Sequence, residues 1–263
     1  EDGVDFFASK DRWSRPVMAR TGPDGALWVA DMYRYMIEHP QFLPQAGQDE
    51  LKPFYRLGDN RGRIYRVYRK GQKLRPIPMF DTMTNSELVS VLENRNGWQR
   101  DTAQALLVER NDKAVVGELI KMATSGKQSL GRLHALCALD GMEDMTPEVL
   151  KSAASDPSPG VRRHVIRLSE SWASDQPDLR QALLEMVDDE DAKVRIQLAY
   201  SLGEWSGEGV AAALGRLAFF DGNDPFMAAA ITSSVNDDNL TGVLESLLAE
   251  RGKTNRGGEL LGP

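Results

Sequence analysis

Asp156-Pro157-Ser158-Pro159-Gly160-Val161-Arg162-Arg163-His164-Val165 decides the fold once it is aligned with Asp189-Glu190-Asp191-Ala192-Lys193-Val194-Arg195-Ile196-Gln197-Leu198. In both stretches an Asp precedes an Arg by six positions, and an apolar residue follows that Arg by three. Working outward, Arg100-Asp101-Thr102-Ala103 and Arg132-Leu133-His134-Ala135 open equivalent segments. The four Arg anchors are 32, 30 and 33 residues apart, and a fifth copy lacking the Arg begins near Met227. Ala103, Ala135, Val165, Leu198 and Ala230 occupy the position three after the anchor, and Trp172 matches Trp205 ten after it. Asn94, Gly126, Asp156, Asp189 and Asp221 lie six before it. A fixed period of roughly 20–50 residues signals stacked helical units, because one helix pair cannot bury its apolar face alone.

Local signals agree with helices from about residue 82 onward. Thr84-Asn85-Ser86-Glu87 has the form of a capping box, the hydroxyl serving the helix start and the carboxylate reaching back. Thr146-Pro147 and Gln176-Pro177 read as further starts, since proline is tolerated at the first helical position. Apolar residues recur at helical spacing through residue 250. Residues 81–252 are therefore expected to hold about five helical units, with 253–263 a Gly-rich, frayed tail.

Residues 1–80 have a different texture. Arg15 to Arg20 leads into Gly22-Pro23-Asp24-Gly25, whose composition suits a tight turn, and Ala26-Leu27-Trp28-Val29-Ala30 follows as a short strand ending at Asp31. After a long loop, Gly62-Arg63-Ile64-Tyr65-Arg66-Val67-Tyr68 reads as another strand. Three or four short antiparallel strands make one sheet but no core of their own, which points to a part of something larger. The fold class expected is mainly α, a helical solenoid preceded by a short antiparallel β segment.

Composition removes several function classes. The chain has 263 residues, 41% hydrophobic and 27% charged, one Cys and a formal charge of −7. That suits a globular protein, excludes an internal disulfide framework or CxxC site, and disfavours nucleic acid as a partner. No apolar run approaches the ~20 residues of a membrane-spanning helix. No Gly-rich phosphate loop, nucleophile elbow or HExxH helix occurs. The sequence begins at Glu1 without a leader, so a signal peptide was either removed or never included.

The recurring Asp and Arg resemble the Asp–Arg ladder of HEAT repeats, in which carboxylates and guanidiniums pair between turns and neighbouring repeats. Arg suits this role because its fixed donors bridge a carboxylate and helix-end carbonyls. Arg100, Arg132, Asp156, Arg162, Asp189 and Arg195 are the structural ladder residues expected on this resemblance, complete in only two units and degraded at the ends. His134 and His164 share one row of the repeat; two histidines without a third ligand favour a semi-polar surface over a metal site. Cys137 is expected to be a small buried thiol, and Asn239-Leu240-Thr241 is a sequon too short to weigh heavily.

The segments Arg15-Pro16-Val17 and Gly22 to Asp31, then Ile37-Glu38-His39-Pro40 and Gly62 to Val67, resemble one blade of a six-bladed propeller of the sugar/sorbosone dehydrogenase type. Followed by HEAT repeats, they are similar to the membrane-bound dehydrogenase-like family of Planctomycetes and related bacteria. The resemblance implies a signal peptide, a full propeller, HEAT-like repeats and a C-terminal cytochrome c domain with CxxCH. It further implies a periplasmic or secreted location, and a parent using a quinone-type cofactor and c-type haem. This chain has room for one blade and no CxxCH, so no cofactor is expected within it. Its partners on this view are the missing blades, the cytochrome domain or another protein.

Propeller sites gather in loops on one face, which directs attention to Asp31, Arg34, Glu38 and His39. Glu38 and His39, with Arg34 nearby, are candidate catalytic residues, an imidazole and a carboxylate forming an acid/base pair. Asp31, Glu38 and His39 are alternatively hard ligands for a cation, with Asp31 the weak metal candidate. The plainer reading has Asp31 capping a turn while Glu38 and His39 pin the loop. Residues 52–75 hold nine Lys/Arg against one acid, a surface for an anionic lipid, sugar or protein, or else a strand and linker paired with the acidic solenoid. Three functions remain open: a piece of an oxidoreductase, a HEAT-type binding module recognising protein or polysaccharide, or a spacer that positions the propeller.

Overall fold

The computed structural model describes residues 5–37 and 39–253. The chain is mainly α-helical, with a three-stranded antiparallel sheet ahead of a helical array. Its described residues divide into two compact units: one runs to Met79 and includes Asn96–Trp98, the other holds Phe80–Arg95 and the chain from Gln99 on.

In the first unit, strands β1 (Pro16–Thr21), β2 (Leu27–Asp31) and β3 (Arg63–Val67) lie in that order. Ala19 faces Val29, and Val29 faces Tyr65. Gly22 to Gly25 closes the first hairpin, with Gly25 NH donating to Gly22 O and the Asp24 carboxylate accepting from Ala26 NH. The long connection to β3 is not all loop: it contains helix α1 (Gln45–Leu51) and two single 3₁₀ turns. Gly58 is required where that connection returns, because its φ is +92° and a Cβ there would sit 2.9 Å from Tyr33 O. Among the described residues of this unit, Pro23, Ala26, Val29 and Tyr33 are buried apolar side chains, and β1 is exposed at all six positions.

The second unit consists of helix pairs. They are α2 (Asn85–Val91) with α3 (Gly97–Arg110), α4 (Val116–Ser125) with α5 (Ser129–Gly141), and α6 (Pro147–Ala153) with α7 (Pro159–Leu168). Next come α8 (Pro177–Leu184) with α9 (Ala192–Ser201), and α10 (Val210–Asp221) with α11 (Pro225–Ser234), then α12 (Leu240–Lys253). Thr84 and Glu87 form the capping box at α2, and Pro147 and Pro177 stand first in α6 and α8. The even-numbered helices make one layer, α4 packing on α6, α6 on α8, and α10 on α12. The odd-numbered ones make the other, α5 on α7, α7 on α9, and α9 on α11. The repeated apolar positions Ala103, Ala135, Val165, Leu198 and Ala230 are fully buried between the layers. A continuous core runs from Phe80 to Val243. Residues 254–263, read from sequence as tail, lie outside the described residues.

Candidate functional site

Two groups of side chains answer to the sequence reading, one in each unit. In the helical array, each anchor Arg enters the second helix of its pair pointing at the turn before it. Arg132, Arg162 and Arg195 each donate through Nη1 to the carbonyl six residues earlier: Gly126 O at 2.8 Å, Asp156 O at 2.8 Å and Asp189 O at 2.7 Å. Their other two donors engage a carboxylate of the following repeat. Arg132 reaches Asp156 at 2.5 and 2.7 Å, Arg162 reaches Asp189 at 2.6 and 2.8 Å, and Arg195 reaches Asp221 at 2.7 and 3.0 Å. The within-repeat spacing Asp156/Arg162 thus marks a main-chain contact, whereas the ion pairs run from one repeat to the next. Asp156 and Asp189 each also accept a backbone NH two residues on, from Ser158 and Asp191, which rigidifies the turn.

The geometry is that of fork-to-fork pairing, two parallel charge-assisted bonds per pair. Each guanidinium is held above its usual pKa, chiefly by the hydrogen bonds it donates to its carboxylate. Burial alone would raise the Asp189 pKa, but the bonds from Arg162 and the Asp191 NH outweigh it and lower it. Burial also grades along the array: Asp189 keeps 7% of its side chain exposed and Asp221 22%. Asp221 stands in the six-before position but is not among the ladder residues expected from sequence; it pairs as Asp156 and Asp189 do, 24 to 27 residues after its Arg.

Arg100 holds the same place but bonds no carboxylate among the described residues. Its Nη1 donates to Asn94 O at 2.6 Å, while its buried Nε has no hydrogen-bond partner among the described residues. The following repeat offers Gly126, where an added Cβ would meet Met122 O at 2.6 Å. Glu93, from the preceding turn, takes over part of the missing carboxylate's work by accepting from the NH groups of Lys127 and Gln128. His134 and His164 stay apart from any metal-holding group: His134 Nδ1 bonds Gln104 Oε1 at 2.6 Å, and His164 Nδ1 bonds Gly160 O at 2.9 Å. Among the described residues no cluster of three metal-ligating side chains occurs. Cys137 is half-buried rather than enclosed, its pKa raised by burial and partly restored by Arg167 beside it.

In the first unit, Asp31 is 2% exposed and its carboxylate is filled by protein donors. It accepts from Arg15 NH at 2.7 Å, Ser14 Oγ at 3.0 Å, Tyr33 NH at 3.0 Å and Arg63 Nε at 3.2 Å. Burial pushes its pKa up, and these four bonds together pull it below the ordinary value. Arg34 is spent on the main chain, with Nη1 on Met32 O, Tyr33 O and Gly58 O. His39 is exposed, accepts at Nδ1 from Gln41 NH and lies edge-on to Phe42. Glu38 lies outside the described residues. Among the described residues neither Arg34 nor His39 bonds to Asp31. A second buried carboxylate, Asp24, binds Arg66 and Trp28 Nε1, although in the sequence it reads only as part of a turn. The basic stretch is therefore partly neutralised within its own unit, through Arg63 to Asp31 and Asp11, Arg66 to Asp24, and Arg56 to Asp59.

Comparison with known proteins adds the following. Residues 1–71 match a family described as a domain of unknown function (DUF7133), and residues 146–236 match HEAT repeats. No curated protein matches the chain. Among solved structures, it is similar to an engineered protein, structural genomics target OR329. Identity is 16% over 64% of this chain and 87% of that one, with a TM-score of 0.38. The HEAT match spans α6 to α11, a stretch that holds every ladder residue from Asp156 to Asp221, whereas Arg132 lies ahead of it on α5. These helices form a HEAT-like solenoid, an architecture suited to a helical scaffold or docking role.

Proposed function

We propose that this chain is the docking scaffold of a larger exported propeller–HEAT protein of dehydrogenase-like type. In this reading residues 1–80 are the terminal blade of a β-propeller with its long loop, and the HEAT array presents a surface to a protein partner. The observation that supports it is the apolar exposure of the first unit. Thirteen of the twenty large apolar side chains exposed among the described residues belong to it, Phe42 at 84% and Ile64 at 66% among them. A sheet with so few buried apolar groups is what one blade separated from its neighbours would show. Quinone-type and haem chemistry would then lie in other segments of the parent.

A second reading, a non-enzymatic module recognising a protein or polysaccharide, is favoured by the full engagement of Asp31 and Arg34 in holding the loop. The native protein's mass, determined with a covalent-haem stain and peptides from this chain as identifiers, separates the two. A mass several times 29.2 kDa with haem supports the dehydrogenase-like parent. A mass near 29.2 kDa without haem overturns it and leaves the binding module.

A further inference from the structure

The segment after β3 carries features that neither the ladder nor the sheet uses. Residues 72–79 form no helix and no strand, and Pro76 and Pro78 fix their own φ while keeping Arg75 and Ile77 out of helical conformation. The main-chain groups of Lys73 to Pro78 have no hydrogen-bond partner among the described residues. Lys73, Arg75, Pro76, Ile77 and Met79 are exposed, whereas Leu74 and Pro78 are half-buried. Ile77 and Met79 stand 47% and 65% exposed. No Asp or Glu occurs between Asn60 and Met79. Arg63 and Arg66 are matched by buried carboxylates, but Arg61, Arg69, Lys70, Lys73 and Arg75 form no ion pair with any described residue.

We infer that residues 72–79 are a linear recognition strap that docks in a groove of a protein partner, Lys73 and Arg75 meeting an acidic rim and Ile77 and Met79 entering apolar pockets. An extended segment with prolines is already close to its bound conformation, so little ordering entropy opposes docking. Its open main-chain groups, with the exposed side chains of Lys73, Arg75, Ile77 and Met79 spaced two residues apart, match a groove that reads a backbone and successive side chains. An anionic bilayer attracts the cations but offers no partner to the open main-chain groups, and a polyanionic sugar offers nothing to Ile77 and Met79. The inference goes beyond the scaffold reading and does not require a propeller or a dehydrogenase.

The test uses the full chain with a photo-crosslinking residue in place of exposed Gln72, irradiated in an extract of the organism that makes it. The crosslinked peptide is mapped, and the purified partner is titrated against the chain. The expected result is a crosslink beside Asp or Glu residues of one protein. Lys73→Glu with Arg75→Glu should then weaken affinity about tenfold and remove its salt dependence. Ile77→Ser with Met79→Ser should weaken it by a similar factor and leave the salt dependence intact. All four positions are exposed, and circular dichroism verifies that the variants fold. Crosslinks confined to this chain overturn the inference, as does unchanged affinity in either variant. So does flotation on phosphatidylglycerol–phosphatidylcholine vesicles that is lost with Lys73→Glu and Arg75→Glu while no protein is crosslinked.

Discussion

Arg162 and Asp189 meet across two repeats as a two-point pair, Nε to Oδ2 at 2.6 Å and Nη2 to Oδ1 at 2.8 Å, with 12% and 7% of their side chains exposed. The third arm of Arg162 simultaneously ties to Asp156 O, so one side chain fixes its own turn and the next repeat. Removing it strands a buried carboxylate. Arg162→Gln should cost about 3 kcal/mol, the scale for breaking a buried pair. Arg195→Gln, at the wetter pair with Asp221, should cost about 1 kcal/mol. Urea unfolding of both variants checks this, and equal losses would contradict the graded burial.

Restoring the ladder at its degraded end should fail. Gly126 has an ordinary φ of −58°, so the obstacle is space rather than conformation. Gly126→Asp would place a Cβ 2.6 Å from Met122 O and should destabilise by about 2 kcal/mol, although it supplies the missing carboxylate opposite Arg100. Glu93→Gln should cost about 1 kcal/mol through the weakened cap on Lys127 and Gln128. A stabilising Gly126→Asp, read by thermal melting, would refute the steric account.

His134 gives the array a pH dependence with a defined sign. Burial is the largest influence lowering its pKa, Arg100 and His164 add to it, and Asp101 opposes it. A depressed folded pKa means that the unfolded chain binds the proton more readily. The contribution is therefore complete above the unfolded value of about 6.5 and is lost as pH falls through the folded value. Melting temperature should drop between neutral and mildly acid pH, and His134→Gln should flatten that slope. An unchanged slope would assign the effect elsewhere.

Asp31→Asn tests whether that carboxylate holds the first unit together. Asparagine cannot accept from Arg15, Ser14, Tyr33 and Arg63 together, and its amide hydrogens would face donors. A loss of about 2 kcal/mol in local stability is expected, seen as faster hydrogen exchange at the Arg15 and Tyr33 amides. Exchange unchanged from wild type would show that the carboxylate is not structural.

Residues 1–80 expressed alone should associate, because β1 and much of the first unit's apolar surface are exposed. Light scattering against concentration reads this directly. A monomeric, cooperatively melting product would remove the support for the blade reading.

The sequence alone determined the repeat, its period and its buried positions, because a helix that must bury one face repeats its apolar residues visibly. Thr84, Pro147 and Pro177 were legible for the same reason: caps act within one turn of chain. The partner of each ladder Arg was not legible. Asp156 lies six residues before Arg162 yet pairs with Arg132, because stacking brings the turn of one repeat against the helix of its predecessor. Tertiary structure also decided the first unit. A turn signal at Asp24 and a loop signal at Asp31 become two buried carboxylates, since only the antiparallel register brings Arg66 and Arg63 across the sheet to them. Charges that pair across long separations follow the fold's geometry, and a linear sequence carries no local trace of it.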